Sequence, residues 1–114
     1  IMFRTSIATI NHIRFELLDK RPTLVFYVWW DTNNFQFIRY DFTLPSSKQV
    51  LFTLMEYSVV DDISKLESKE ICIILKDDKV CALGHLYEDK FFTVEQKEDE
   101  LIIKTFEEIA YEDH

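Results

Sequence analysis

The sequence predicts an α+β fold, an antiparallel sheet of about five to six strands with two helices near residues 47–59 and 100–111. Three observations favour this class. The chain has 114 residues, a length typical of one domain, so we expect residues 1–114 to form a single unit. Runs of β-branched and aromatic residues alternate with turn residues, which is typical of strands. Two further windows carry their apolar residues at helical spacing.

The N-terminal part of the chain predicts an antiparallel meander. Residues 13–17 alternate apolar and polar, as a half-buried strand does, and residues 3–10 are a weaker strand proposed as its hairpin partner. Residues 23–30 lack a polar face, so we expect a central strand covered on both sides. Residues 31–34 are Asp, Thr and Asn, which suit a hairpin loop before a returning strand at 35–44.

The first helix follows Pro45. Ser46 with Gln49 three residues later predicts a capping box, in which each side chain satisfies a backbone N–H at the helix start. The apolar residues of the window then share one side, opposite Thr53 and Glu56. They are Val50, Leu51, Leu54, Met55 and Tyr57.

A second hairpin is predicted for residues 70–86, with its turn at Asp77-Asp78. A two-residue turn there pairs residue 74 with 81 and residue 72 with 83. Both faces of this hairpin are apolar, so it should lie in the interior. Cys72 and Cys81 are then diagonal neighbours, too far apart for a disulfide, and we expect two buried free thiols.

The C-terminal part adds a short strand and the second helix. Gly84 is the only glycine and marks either a position where a side chain would clash or a bulge. Residues 91–94 predict the strand. Asp99 is the expected cap of the helix at 100–111, because acidic residues are favoured in a first helical turn. A strand at 101–106 is the rival assignment.

Charge is distributed unevenly along a chain whose formal net charge is −8. Residues 1–60 hold 5 acidic and 6 basic side chains, whereas residues 61–114 hold 16 and 7, so their net charges are +1 and −9. A basic nucleic-acid-binding protein is disfavoured, since phosphate neutralisation requires clustered lysine and arginine. Solubility alone would also explain the acidic residues.

Residues for catalysis or cofactor binding are sparse. A single glycine excludes the glycine-rich loops that hold nucleotide phosphates, and the cysteines and histidines lack metal-ligand spacing, so we expect no cofactor and no metal. His85 with Glu88 or Asp89 could form an acid–base pair. The competing and favoured interpretation is a strand-end histidine bonded to backbone. We therefore predict a protein that is not an enzyme.

Trp29 and Trp30 face opposite sides of their predicted strand. Packing of both indoles under helices is favoured, because large aromatic residues are mostly buried. In the alternative arrangement one indole reaches the surface, flanked by Tyr27 or Phe35, where it would be a hot spot for a partner.

The longest apolar run has seven residues, 24–30, far short of the roughly 20 that a membrane span needs. The N-terminal residues lack the layout of a secretory signal. Two cysteines are compatible with a reducing compartment. We expect a cytoplasmic protein that does not contact a membrane.

Three function classes fit these features. The acidic half could dock on a basic, nucleic-acid-binding groove of another protein, since complementary charge speeds encounter and selects basic partners. An immunity protein or antitoxin that neutralises a basic toxin would use the same physics. A small apolar ligand bound within the meander is the third class. An exposed edge strand would also allow a homodimer.

One segment carries a resemblance to known proteins. Residues 69–85, KEICIILKDDKVCALGH, resemble a strand–turn–strand segment of small phage-encoded proteins. The length and acidity of the chain are similar to those of anti-defence inhibitors, including anti-CRISPR proteins. This resemblance implies a non-enzymatic inhibitor of an effector nuclease in the host cytoplasm.

The charge count alone nominates the partner-binding residues. We expect the acidic side chains of the C-terminal part to contact a basic protein, a nuclease effector or a toxin, without direct contact to nucleic acid. They are Glu98, Asp99, Glu100, Glu107, Glu108 and Glu112, with Asp77, Asp78, Glu88 and Asp89 as a second patch.

Overall fold

One antiparallel sheet contains six strands: β1 (Phe3–Leu18), β2 (Arg21–Trp30), β3 (Asn34–Asp41), β4 (Glu70–Lys76), β5 (Lys79–Gly84) and β6 (Phe91–Thr93). Their order in the sheet is β3-β2-β1-β4-β5-β6, which places β1 between two meanders. The structure, a computed structural model, describes residues 1–96 and 99–112. With its two helices, this sheet confirms the predicted α+β class.

Strand β1 corrects the first prediction, because residues 3–10 and 13–17 form one bent strand of 16 residues rather than a hairpin. The bend is a bulge between Asn11 and Arg14, where His12 has a φ of 58°. The carboxylate of Glu67 accepts the backbone N–H groups of His12 (2.9 Å) and Ile13 (3.2 Å). A distant side chain thus replaces the ladder partner that the bulge loses, and the strand continues.

The hairpin turns lie where turn residues predict them. Asp19 and Lys20, and Asp77 and Asp78, have φ values between 49° and 66°, the left-handed geometry of a tight two-residue turn. Residues 31–33 form the loop between β2 and β3, since Trp30 pairs with Asn34. Aspartate tolerates this backbone, which is how a chain with one glycine makes its hairpins.

Register in the second hairpin differs from the prediction. Leu75 pairs with Val80 as a two-residue turn requires, but Ile74 then pairs with Ala82 and Cys72 with Gly84. A bulge at Cys81 inserts one residue into β5, so the expected pairs 74–81 and 72–83 are wrong. Side chains beyond the bulge therefore change face. The predicted interior position of the hairpin is confirmed by the burial of its aliphatic residues.

Helix α1 (Pro45–Ser58) covers one face of the sheet, which we call the inner face. Its N-cap is Leu44, and the predicted capping box is wrong. Pro45, which suits the first helical turn, sets the start one residue before Ser46. Gln49 instead accepts the backbone N–H of Leu101 at 2.7 Å. The inner core combines Val50, Leu51 and Leu54 of α1 with Ala8, Ile10, Leu24, Phe26, Val28, Trp30, Ile38, Tyr40, Ile71, Ile73, Leu75 and Leu83.

The sheet curls around this core until β3 approaches β5. The side-chain amide of Gln36 accepts the backbone N–H of Val80 (2.9 Å) and donates to its carbonyl (3.2 Å). Three strands separate β3 from β5 in the sheet, so this contact requires strong twist. Strand β6 pairs with β5 only at residues 82–84, so Gln36 of β3 bonds to a part of β5 that lies outside this pairing.

Helix α2 (Phe106–Glu112) lies on the opposite, outer face over β4–β6. It is shorter than the predicted 100–111 because Lys104 forms a two-way backbone bridge with Phe91, which holds the chain extended just before the helix. The predicted cap Asp99 is also wrong. Asp89 instead accepts the backbone N–H of Phe106, a contact between residues 17 positions apart that no local pattern predicts. Neither helix has the length and apolarity of a membrane-spanning segment within the described residues.

Candidate interaction surface

The outer face of the sheet is divided into a covered half and an open half. Over β4–β6, Ile109 of α2 packs on Ile74, Ala82 and Phe91. Over β2 and β3 no element of the described residues covers the sheet, and an aromatic cluster is exposed there. We call this cluster the aromatic plate; it consists of Tyr27, Trp29, Phe35 and Phe37.

Strand pairing builds the plate. Odd-numbered residues of β2 and β3 point to the outer face, and the register sets Trp29 opposite Phe35 and Tyr27 opposite Phe37. The rings of Trp29 and Phe35 are stacked, with centroids 4.7 Å apart and planes at 28°. The Tyr27 ring lies 5.3 Å from Phe37 and 5.9 Å from Phe35. Directly facing aromatic residues on paired strands stabilise the sheet and hold each other's orientation.

The plate remains substantially accessible to solvent. Trp29, Phe35 and Phe37 expose 37%, 55% and 39% of their surface, and the neighbouring Ile7 of β1 exposes 56%. Trp30 exposes only 6% and packs in the inner core, so the two indoles divide as the alternative arrangement predicted. The expectation that β2 is covered on both sides is wrong at its Trp29 end. A contiguous exposed apolar patch of this kind is a candidate interaction surface.

An open groove of about 530 Å³ adjoins the plate. It lies between β1 and the β2–β3 hairpin, where β2 separates from β1 beyond the Thr9–Trp29 pair. Its lining is mixed: Trp29 and Ile7 are apolar, whereas Asn11 and Glu70 are polar or charged. It is not the deep apolar cavity that a small-ligand protein uses.

The predicted acidic residues do not gather at one place. Asp77 and Asp78 lie at the β4–β5 turn, whereas Glu88 and Asp89 follow β5 at its other end, so the length of β5 separates the two pairs. Glu107 and Glu108 lie on α2, and Asp99 and Glu100 precede it. Glu98 and the side chain of Glu112 lie outside the described residues.

Five of these acidic side chains make contacts within the protein. Asp77 accepts the backbone N–H of Met2 at 2.9 Å, and Asp78 lies 3.4 Å from Arg4. Glu88 pairs with Lys90 at 2.8 Å, and this hydrogen bond, with the nearby positive charge, lowers the pKa of the Glu88 carboxyl. The other two are Asp89 and Glu108.

Glu108 belongs to the capping box that α2 does possess. Its carboxylate accepts the N–H of Thr105 at 3.0 Å, and its own N–H donates to the Thr105 hydroxyl at 3.2 Å. These hydrogen bonds hold the pKa of the Glu108 carboxyl below its usual value. Within the described residues, Asp99, Glu100 and Glu107 are exposed and make no such contacts. They are therefore the acidic side chains most available to a partner.

The remaining chemical candidates are His85 and the two cysteines. His85 Nδ1 accepts the backbone N–H groups of Tyr87 (3.1 Å) and Glu88 (3.0 Å), which confirms the backbone-bonded interpretation. Two donors on Nδ1 place the ring proton on Nε2. Cys72 and Cys81 are free, as predicted, but half-buried; burial raises the pKa of the Cys72 thiol. No group of three or more metal-ligating side chains occurs among the described residues.

Gly84 lies where a side chain would clash, which is the first of the two predicted explanations. A Cβ there would collide with the carbonyl oxygen of Lys90 and the ring of Phe91. The absence of a side chain lets β6 and its phenyl ring lie against β5.

Sequence reasoning found part of the plate. It named Tyr27, Trp29 and Phe35 together, but it did not include Phe37 or the neighbouring Ile7 of β1. The signal available was the run of aromatic residues at odd positions 27, 29, 35 and 37, which places them on one face once the loop length is known. Comparisons with protein-family models, with curated proteins and with solved structures gave no significant match.

Proposed function

We propose that this chain is a non-enzymatic protein-binding domain that docks on a basic, nucleic-acid-binding surface of another protein and so inhibits it, as anti-defence proteins do. The observation that carries this proposal is the exposed stack of Trp29 on Phe35, at the β2–β3 hairpin end of the open half of the outer face. Rigid, preoriented aromatic side chains are the commonest hot spots of protein interfaces, because they bury a large area at a small entropic cost.

The negative charge of the chain favours a basic partner. The chain carries a net charge of −8, and α2 stands on the same outer face as the plate, with Glu107 exposed and unpaired among the described side chains. A basic surface is attracted, and arginine side chains can in addition stack on the plate by cation–π contact. A second copy of this chain and a nucleic acid are both negatively charged, so the acidic side chains of this surface would repel them.

Inhibition follows from competition. A protein surface that binds nucleic acid is lined by lysine and arginine, and carboxylates at its edge neutralise the same groups that phosphates do. The acidic domain therefore excludes nucleic acid from the surface it occupies.

A pull-down with two matched variants tests the plate. The double variant Trp29→Ala/Phe35→Ala removes the stack, whereas Phe52→Ala removes a phenyl ring that is more exposed than either and lies on α1, which covers the inner face. Retained proteins are identified by mass spectrometry, purified and titrated with each form. We expect the plate variant to lose at least about 2 kcal/mol of binding free energy, roughly thirtyfold in affinity, and the control to lose none.

Two further readouts complete the test. The partner should bind nucleic acid, and this protein should displace it. Glu107→Lys should weaken the complex and flatten its salt dependence, while Glu56→Lys on α1 should not. Retention that is equal for the plate variant and for the control, or a partner without nucleic-acid binding, would contradict the proposal.

A further inference from the structure

The groove beside the plate has a chemistry distinct from that of the plate. Two of its lining residues are carboxylates, Asp31 of the β2–β3 loop and Glu70 at the start of β4, and none is lysine or arginine. The indole of Trp29, on the outer face, contributes to its wall, whereas the indole of Trp30 packs in the inner core. An aromatic surface with carboxylates at its edge is complementary to a cation carried on an apolar stem.

The carboxylates are only weakly engaged within the protein. Arg4 is the sole cationic partner of Asp31 among the described residues, at 3.5 Å, and both side chains are largely exposed. A contact of that length between exposed groups contributes little. Glu70 is exposed and makes no ion pair or side-chain hydrogen bond within the described part of the chain.

We infer that this groove receives one arginine side chain of the basic partner, an inference that rests on the proposed function and specifies its anchor. The planar guanidinium can stack on an exposed indole while its N–H groups reach a carboxylate at the rim. The hydroxyl and amide groups of Thr9 and Asn11 in the lining offer further acceptors. Lysine has the charge without the planar face, so the groove discriminates against it.

Synthetic peptides test this preference without knowledge of the partner. Fluorescein-labelled nona-arginine, nona-lysine and nona-citrulline are titrated with the full chain, and binding is followed by fluorescence anisotropy. We expect nona-arginine to bind about fivefold more tightly than nona-lysine, and nona-citrulline to bind most weakly. In ¹⁵N NMR spectra of the arginine complex, the Trp29 indole N–H and the Thr9 and Glu70 amides should shift most.

A variant that neutralises one carboxylate tests whether the arginine preference depends on the groove. Glu70→Gln should lower the affinity for nona-arginine about fivefold and reduce the preference over nona-lysine, whereas Glu56→Gln, an equally exposed carboxylate on α1, should lower both affinities slightly and equally. Equal binding of the arginine and lysine peptides, or equal effects of Glu70→Gln and Glu56→Gln, would overturn the inference.

Failure of this inference is distinguishable from failure of the proposed function. If the plate variant still abolishes retention of the natural partner while Glu70→Gln does not affect arginine preference, the plate binds and the groove does not. If the plate variant retains the partner fully, the proposed function itself is wrong.

Discussion

The two halves of the outer face are both apolar, yet one is covered and the other is open. On the β4–β6 half, Ile74 and Ala82 are buried beneath α2. On the β1–β3 half, Trp29, Phe35 and Phe37 remain exposed. The two halves also differ in the side chains that their strands present.

Small side chains create room for a helix, whereas large aromatic ones fill it. Ala82 and Gly84 leave a depression in which Phe91 and then Ile109 can lie. The four rings of the plate instead contact one another. A covered half stabilises the fold, and an open half of stacked rings is available to another molecule.

The largest effect should separate equivalent isoleucines on the two halves. Ile74→Ala removes a fully buried side chain beneath α2 and should cost about 3 kcal/mol of the free energy of unfolding, because it leaves a cavity. Ile7→Ala, on the open half, should cost less than about 1 kcal/mol, since Ile7 is mostly exposed. Urea denaturation of both variants measures the difference. Equal losses would contradict the division of the face.

A smaller effect should follow from filling the depression of the covered half. Gly84→Ala places a Cβ against the Lys90 carbonyl and the Phe91 ring, so we expect a loss of about 2 kcal/mol. In this variant, amide hydrogen exchange should accelerate more in β6 than in β2, each compared with the natural chain. A variant as stable as the natural chain would show that β6 can move away without cost.

The smallest effect concerns the capping box that holds α2 on the covered half. Thr105→Ala removes the acceptor of the Glu108 N–H and should cost about 1 kcal/mol. Because the pKa of the folded Glu108 carboxyl lies below its ordinary value of 4.5, its contribution is present above pH 4.5 and is lost as the pH falls through the folded value. Amide exchange of α2 measured from pH 6 to pH 3 should therefore accelerate relative to that of β2.

The matched control for the acid dependence is the adjacent carboxylate. Glu108→Gln should reduce the acid-induced loosening of α2, while Glu107→Gln should leave it as in the natural chain, since Glu107 makes no hydrogen bond within the described residues. Identical behaviour of the two variants would assign the effect to general charge rather than to the cap.

Local patterns predicted the elements well and their long-range contacts poorly. The turn at Asp77-Asp78 follows from the backbone geometry that turn residues impose on their neighbours, whereas the crowding at Gly84 comes from Phe91 on the paired strand and from Lys90 just before it. The bulge at His12 depends on Glu67, 55 residues away, and no local pattern reports such a partner. The start of α2 depends both on the local Thr105–Glu108 capping box and on Asp89, and only Asp89 lies beyond any capping window.

The candidate site was predicted in part for the same reason. Charge counting identified acidic side chains, but Glu108 and Asp89 are engaged in holding α2, and only contacts could reveal that. The aromatic plate joins residues from two strands, so it requires the register of β2 against β3. The partner-binding roles of both sets stay predictions.

By itself, the sequence determined the α+β class, the turn positions and the contrast between a nearly neutral first part and an acidic second part, because these depend on residues adjacent in the chain. The tertiary structure decided which indole faces solvent. Alternation guarantees that Trp29 and Trp30 point to opposite faces, but only the position of α1 makes one of those faces the core. Burial depends on what packs across the sheet, and that is a property of the whole chain.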